Sequence, residues 1–223
     1  MTEVLRDKRD ATIDLVVDAG ESRQVVLLSP VNVRLSVRQR EGSTLSVHVL
    51  SLTDADSDLS VTVNQDEPHC RTQLYGLALT RGNQVVNIET HVLHNVGHGT
   101  STQLFKNALA DTSRATFYGE LKVLPDAQKT EAYQTNRNIL LSPEAKMRTR
   151  PQLEIYADDV KCSHGATTGH LDTNALFYMQ QRGIPLAEAK RLLLLAFMEE
   201  VVQTLPDEPL QEEVRQQINK RLK

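Results

Sequence analysis

From Thr12 to about Thr168 the chain runs through short segments whose apolar residues fall at every second position, and no ten- to fifteen-residue stretch with helical spacing interrupts them. Val31, Val33, Leu35 and Val37 alternate with polar neighbours, as do Leu45, Val47 and Val49, then Leu59, Val61 and Val63. Period-two alternation places successive side chains on opposite faces of a strand, one packed and one wet. The same rhythm predicts strands over Thr12–Val17, Leu74–Leu79, Val85–Val92, Leu104–Leu109, Ala115–Val123, Arg137–Leu141 and Leu153–Tyr156, and a last, polar segment follows around Cys162–Thr168. Turn-forming stretches separate them, among them Glu41-Gly42, Asp54–Asp58 and Arg81-Gly82-Asn83. Connections this short exclude helical crossovers between parallel strands. Two architectures remain, an antiparallel sandwich or barrel and a β-solenoid of stacked coils. A weak echo between Gln73–Leu79 and Gln103–Leu109, thirty residues apart, leans toward the solenoid without deciding it.

Beyond Leu171 the spacing changes to that of helices. Asp172 can cap a helix over Thr173–Gln181 that Gly183 stops, and Pro185 suits the first turn of a second, Leu186–Leu205. Leu194, Met198, Val201 and Leu205 form an apolar stripe, widened by Leu192, Leu193, Leu195 and Phe197, so this helix should pack on more than one side. A third helix, Leu210–Leu222, aligns Leu210, Val214, Ile218 and Leu222. A solenoid has open ends, and the helical tail is expected to cover one of them.

With 25 basic and 29 acidic residues the net charge is -4, which lacks the basic footprint of a nucleic-acid binder. No run of eighteen apolar residues predicts a membrane span, and the polar start MTEVLRDKRD lacks a signal-peptide core, so the expected compartment is the cytoplasm. The two cysteines, Cys70 and Cys162, are too few for a disulfide framework.

Cys162 and His164 are the sharpest chemical candidates, because positions two apart in a strand share a face. A thiolate and an imidazole there can ligate a soft or borderline metal completed from elsewhere, act as a nucleophile–base pair, or be a packed cysteine beside a hydrogen-bonded histidine. His91, His94 and His98 have the spacing of a metal tract, although a strand-and-turn context does not make the rings converge. His48, His69 and His170 are isolated, Cys70 reads as buried and inert, and Asp158-Asp159 reads as a solvated turn. No phosphate-binding glycine motif occurs, so any nucleotide that drives this protein sits on a partner.

Three strings carry a resemblance: Gln128–Ser142 (QKTEAYQTNRNILLS), Pro151–Thr167 (PQLEIYADDVKCSHGAT) and Leu176–Ile184 (LFYMQQRGI). Through them the chain resembles the SufB/SufD family of iron–sulfur cluster assembly proteins, most like the C-terminal part of its SufD members. Gly165 stands where SufB carries a carboxylate beside the matching histidine. The resemblance implies a right-handed parallel β-helix over residues 1–170 and a C-terminal α-helical domain over 171–223. It implies a non-enzymatic scaffold that pairs with a SufB-like subunit through the β-helix and docks a SufC-like ATPase on the helices. It implies no permanently bound cofactor, only transient iron or a nascent cluster at the subunit interface. His164 matches the SufD histidine that faces SufB there, and Cys162 matches the nearby cysteine; both are expected to project outward toward the partner. Family members carry a substantial region before the β-helix, so the chain is expected to be a fragment or a short homologue, and in isolation it is expected to be able to pair with itself.

Overall fold

The computed structural model describes residues 1–222. Thirteen strands wind as a parallel β-solenoid with two strands per coil, and three helices follow. Odd-numbered strands form one sheet: β1 (Thr2–Arg6), β3 (Ser22–Leu28), β5 (Thr44–Ser51), β7 (Arg71–Thr80), β9 (Thr100–Leu109), β11 (Glu131–Leu140) and β13 (Lys161–Gly169). Even-numbered strands form the second: β2 (Arg9–Val17), β4 (Val31–Gln39), β6 (Ser57–Gln65), β8 (Val85–His94), β10 (Arg114–Val123) and β12 (Lys146–Ile155). Every pairing is parallel and joins a strand to the one two places on, which settles the choice between solenoid and sandwich.

Val33, Leu35 and Val37 meet Val47, Val49, Leu74 and Phe105 between the sheets. The seven-stranded sheet is apolar on its outer face as well. Val26, Leu28, Leu50, Leu77, Leu79 and Ala108 carry α2 (Leu186–Val202) and α3 (Glu208–Arg221) through Leu194, Met198, Val201, Val214 and Ile218. Strands buried on both faces lose the alternating signature. That is why β3, reading SRQVVLL, escapes the period-two reading although its last four residues are fully buried. β1 was hidden in the polar opening of the chain, and β12 begins before Leu153 with Lys146–Arg150, where Met147 is the one apolar residue among charged and polar ones.

The helical tail therefore covers a flank of the solenoid, not an end. Its apolar stripe finds a matching surface only along the sheet, and ionic contacts pin it there. Lys106 pairs with Glu200 and donates to the Phe197 carbonyl, Arg6 pairs with Glu213 at 2.8 Å, and Arg221 pairs with Asp54 at 2.9 Å. α1 (Thr173–Gln181) starts on Asp172, whose carboxylate accepts from Asn174 and Ala175, and none of its residues is fully buried. α2 ends three residues before Leu205, and α3 begins at an Asp207 cap.

The coils do not follow the echo read from the sequence. Leu74, not Gln73, lies beside Gln103, so the apparent thirty-residue match is one residue out of register. The repeat is clearer at one corner. There Gly42, His69, His98 and Lys129 take positive φ on successive coils, a conformation that glycine adopts freely and histidine does not.

Candidate functional site

The last coil consists of β12 and β13, and each is the terminal strand of its sheet. β13 pairs with β11 alone, in the register Ala132↔Cys162, Gln134↔His164 and Asn138↔Thr168. Ala132 and Gln134 point between the sheets and are buried. In-register parallel neighbours share a face, so Cys162 and His164 continue the inward-facing rows. Cys162 packs partly against the core, while His164 is exposed because no further coil covers it.

The two groups do share a face, but they do not project outward from the wall of the solenoid. They lie over its interior and open along its axis at the end rung. The physical reason is the pairing of β13 with β11, which fixes which alternating set faces inward. Tyr133, Ile155 and Tyr156 are exposed around this rung. Its backbone edge is free to take a further strand, a situation that folded proteins normally cover.

Burial raises the pKa of the Cys162 thiol, with the Ala132 backbone acting weakly against it. A protonated thiol is a poor ligand and a poor nucleophile, so a cation must displace the proton before the sulfur can coordinate. Two residue rises, about 6.6 Å, separate the Cα atoms of Cys162 and His164 along the strand. Two donors do not complete a coordination sphere, and among the described residues no group of three or more His, Cys, Asp or Glu side chains could hold a metal ion. A metal at the end rung would need donors beyond these two side chains.

The other histidines are dispersed. His91 lies on the outer face of the six-stranded sheet, with Nδ1 2.8 Å from Glu120. His94 is buried against the Ser101 hydroxyl at 2.9 Å. His98 stacks on His69 at the corner, ring centroids 4.9 Å apart. The tract spacing thus spans an outer face, the interior and a turn, and its rings do not converge. His48 is fully buried beneath the helices, and His170 donates to the Leu140 carbonyl. Cys70 is buried, with Sγ 3.0 Å from the Arg40 carbonyl, and desolvation raises its pKa. Asp159 pairs with Lys129 in an exposed turn.

Sequence reasoning did not single out Gln103 and Gln134, which sit in the row that ends at His164. A polar residue at an inward position of a core strand was the available signal, obscured because β11 was recognised only from Arg137 onward. A second exposed apolar group lies on the helices, where Phe177, Tyr178 and Leu186 face solvent beside a cavity lined by Leu141, Leu171, Leu176 and Leu194. No helix among the described residues is long and apolar enough to cross a membrane.

Residues 4–197 match the family described as SUF system FeS cluster assembly, SufBD core domain. The chain is similar to the iron–sulfur cluster assembly protein SufD of Escherichia coli K12, 42% identical over 150 residues, covering 67% of this chain and 36% of that protein. It is 37% identical over 175 residues to an iron–sulfur cluster assembly SufBD family protein of Synechocystis, covering 78% of this chain and 36% of that protein. SufD of Bacillus subtilis is 32% identical over 162 residues, with 68% and 37% covered. The chain thus spans little more than a third of the length of these relatives.

Proposed function

Taking as premise that this chain belongs to the SufB/SufD core-domain family and is closely related to SufD, we propose that it is a non-catalytic scaffold that sets its open end rung against a SufB-like subunit in the cytoplasm. The observation that carries this reading is the placement of Cys162 and His164 together on the terminal rung, beside an unpaired strand edge and exposed Tyr133, Ile155 and Tyr156. An imidazole and a thiol are suitable donors for iron, and a facing chain would supply the rest of the coordination. Iron or a nascent cluster is then a transient cargo, held while the interface is assembled. Metal binding at such a shared site also offsets the high pKa of the thiol, because the cation displaces the proton.

Residues 1–170 form the pairing body in this reading, and 171–223 form the docking surface for a SufC-like ATPase. Exposed Phe177 and Tyr178 on α1 suit that role, since aromatic residues anchor interfaces. The isolated chain can pair with a second copy through the same edge.

Anaerobic reconstitution of the complex with SufB-like and SufC-like partners, supplied with iron and sulfide, tests the reading. His164→Ala should lower cluster formation while thermal unfolding and subunit pairing stay as in the wild type. Undiminished cluster formation with intact pairing would exclude the ligand role. Phe177→Asp should weaken co-purification with the ATPase and leave pairing with the SufB-like subunit unchanged.

A further inference from the structure

The inward positions of β11 are mostly polar, Gln134, Asn136 and Asn138, where β5 carries Leu45, Val47 and Val49. Two inward rows run from β9 through β11 to the end strand, Asn107–Asn138–Thr168 and Gln103–Gln134–His164. The first row is linked by hydrogen bonds. Asn107 Nδ2 donates to Asn138 Oδ1 at 2.7 Å, and Asn138 Nδ2 donates to the Thr167 carbonyl at 3.0 Å and toward Thr168 Oγ1 at 3.4 Å.

The second row begins in the same way, with the Thr90 hydroxyl donating to Gln103 Oε1 at 2.8 Å. It then stops. Gln134 is 2% exposed, yet neither Nε2 nor Oε1 has a partner. The amide is seated against Gly119, where an added Cβ would stand 2.3 Å from Nε2 and 2.8 Å from Cδ. The space for this amide exists because position 119 has no side chain. A buried amide left without partners is costly. Its two in-register neighbours, one strand on either side, are Gln103, whose Nε2 is likewise unpartnered, and His164, whose exposed imidazole is the polar group toward the open end.

We propose that Gln134 is a positioning residue for His164: its amide oxygen accepts one ring N–H and leaves the lone pair of the other nitrogen facing out of the end rung. A histidine ligand normally donates its second N–H to an oxygen, which fixes the tautomer and the ring orientation. The Gln134 amide supplies that oxygen from inside the solenoid, while the facing chain approaches from outside. The inference rests on the ligand reading of His164 above.

The test is long-range 1H–15N NMR of the His164 ring in the labelled full chain, at a pH where the imidazole is neutral and with neither partner nor iron present. The wild type should hold one dominant tautomer. Gln134→Met, which removes the acceptor at similar volume, should shift the tautomer ratio by about fivefold, the effect of one ordinary hydrogen bond. Gln134→Glu, which keeps an acceptor oxygen, should restore the dominant tautomer. If Gln134→Met does not fold, Gln134→Asn withdraws the amide by one methylene and should show the same shift. Identical ring nitrogen spectra in folded wild type and variant would overturn the proposal and assign the amide to another partner, such as the unpaired Gln103 Nε2 or the Thr149 hydroxyl. Equal shifts in the Met and Glu variants would overturn it too. Because the readout needs no cluster, a failed His164→Ala reconstitution test removes the ligand role without altering this result, and the converse also holds.

Discussion

Acidification should loosen this protein through two buried histidines, of which His48 is the more informative. It lies on the outer face of β5, fully buried beneath the helices, with Nε2 3.1 Å from the Thr204 carbonyl and its ring stacked on Tyr75. Desolvation lowers its pKa from 6.5 to about 4, the Thr204 bond opposing only part of the effect, and desolvation likewise takes His94 to about 4. The folded pKa lies below the unfolded one, so the unfolded chain binds more protons and stability falls as pH drops through 6.5 toward 4. At pH 5 an unfolded histidine is almost fully protonated and the folded one hardly so, which costs about 2 kcal/mol per group relative to pH 7. Both histidines together should remove about 4 kcal/mol over that interval. Ordinary carboxylates contribute little above pH 5, because they remain largely ionised in both states. His48→Phe leaves the Thr204 hydroxyl its bond to the Val201 carbonyl and removes one titrating group. Urea unfolding at pH 7, 6 and 5, followed by circular dichroism, should show about half the wild-type pH loss in the variant, whatever its stability at pH 7. An equal loss in both proteins would refute the argument, as would a wild-type loss under about 1 kcal/mol.

Met198 is fully buried between α2 and the sheet, so Met198→Ala should cost about 2–5 kcal/mol and speed amide exchange in α2 and α3, read by urea unfolding and hydrogen exchange. A Cβ at Gly76 would lie 2.0 Å from the Phe105 ring; Gly76→Ala should therefore cost at least about 1–3 kcal/mol, seen as a lower urea midpoint. Glu200→Ala strands the buried Lys106 ammonium on a single carbonyl, whereas Lys106→Met leaves Glu200 half-exposed and still paired with Arg137. The glutamate variant should consequently be the less stable of the two by about 1 kcal/mol or more in the same unfolding assay.

The sequence by itself determined that the body is built of many short strands, because an apolar residue at every second position has one regular solution. It also determined the three helices through their stripes and caps: Thr173–Gln181 is found at its predicted bounds, and the other two differ only at their termini. The family strings around Cys162 and His164 were equally legible, since they are local. Alternation cannot tell a parallel coil from an antiparallel sandwich, because the side-chain period is the same whatever strand lies alongside. It fails at β3, where packing between the core and the helices makes both faces apolar. Only the tertiary structure decided that the helices lie along a flank and that His164 looks over the interior. A spacing of two fixes that Cys162 and His164 share a face, but which face it is depends on the register of β13 against β11, set by contacts thirty residues apart in the chain.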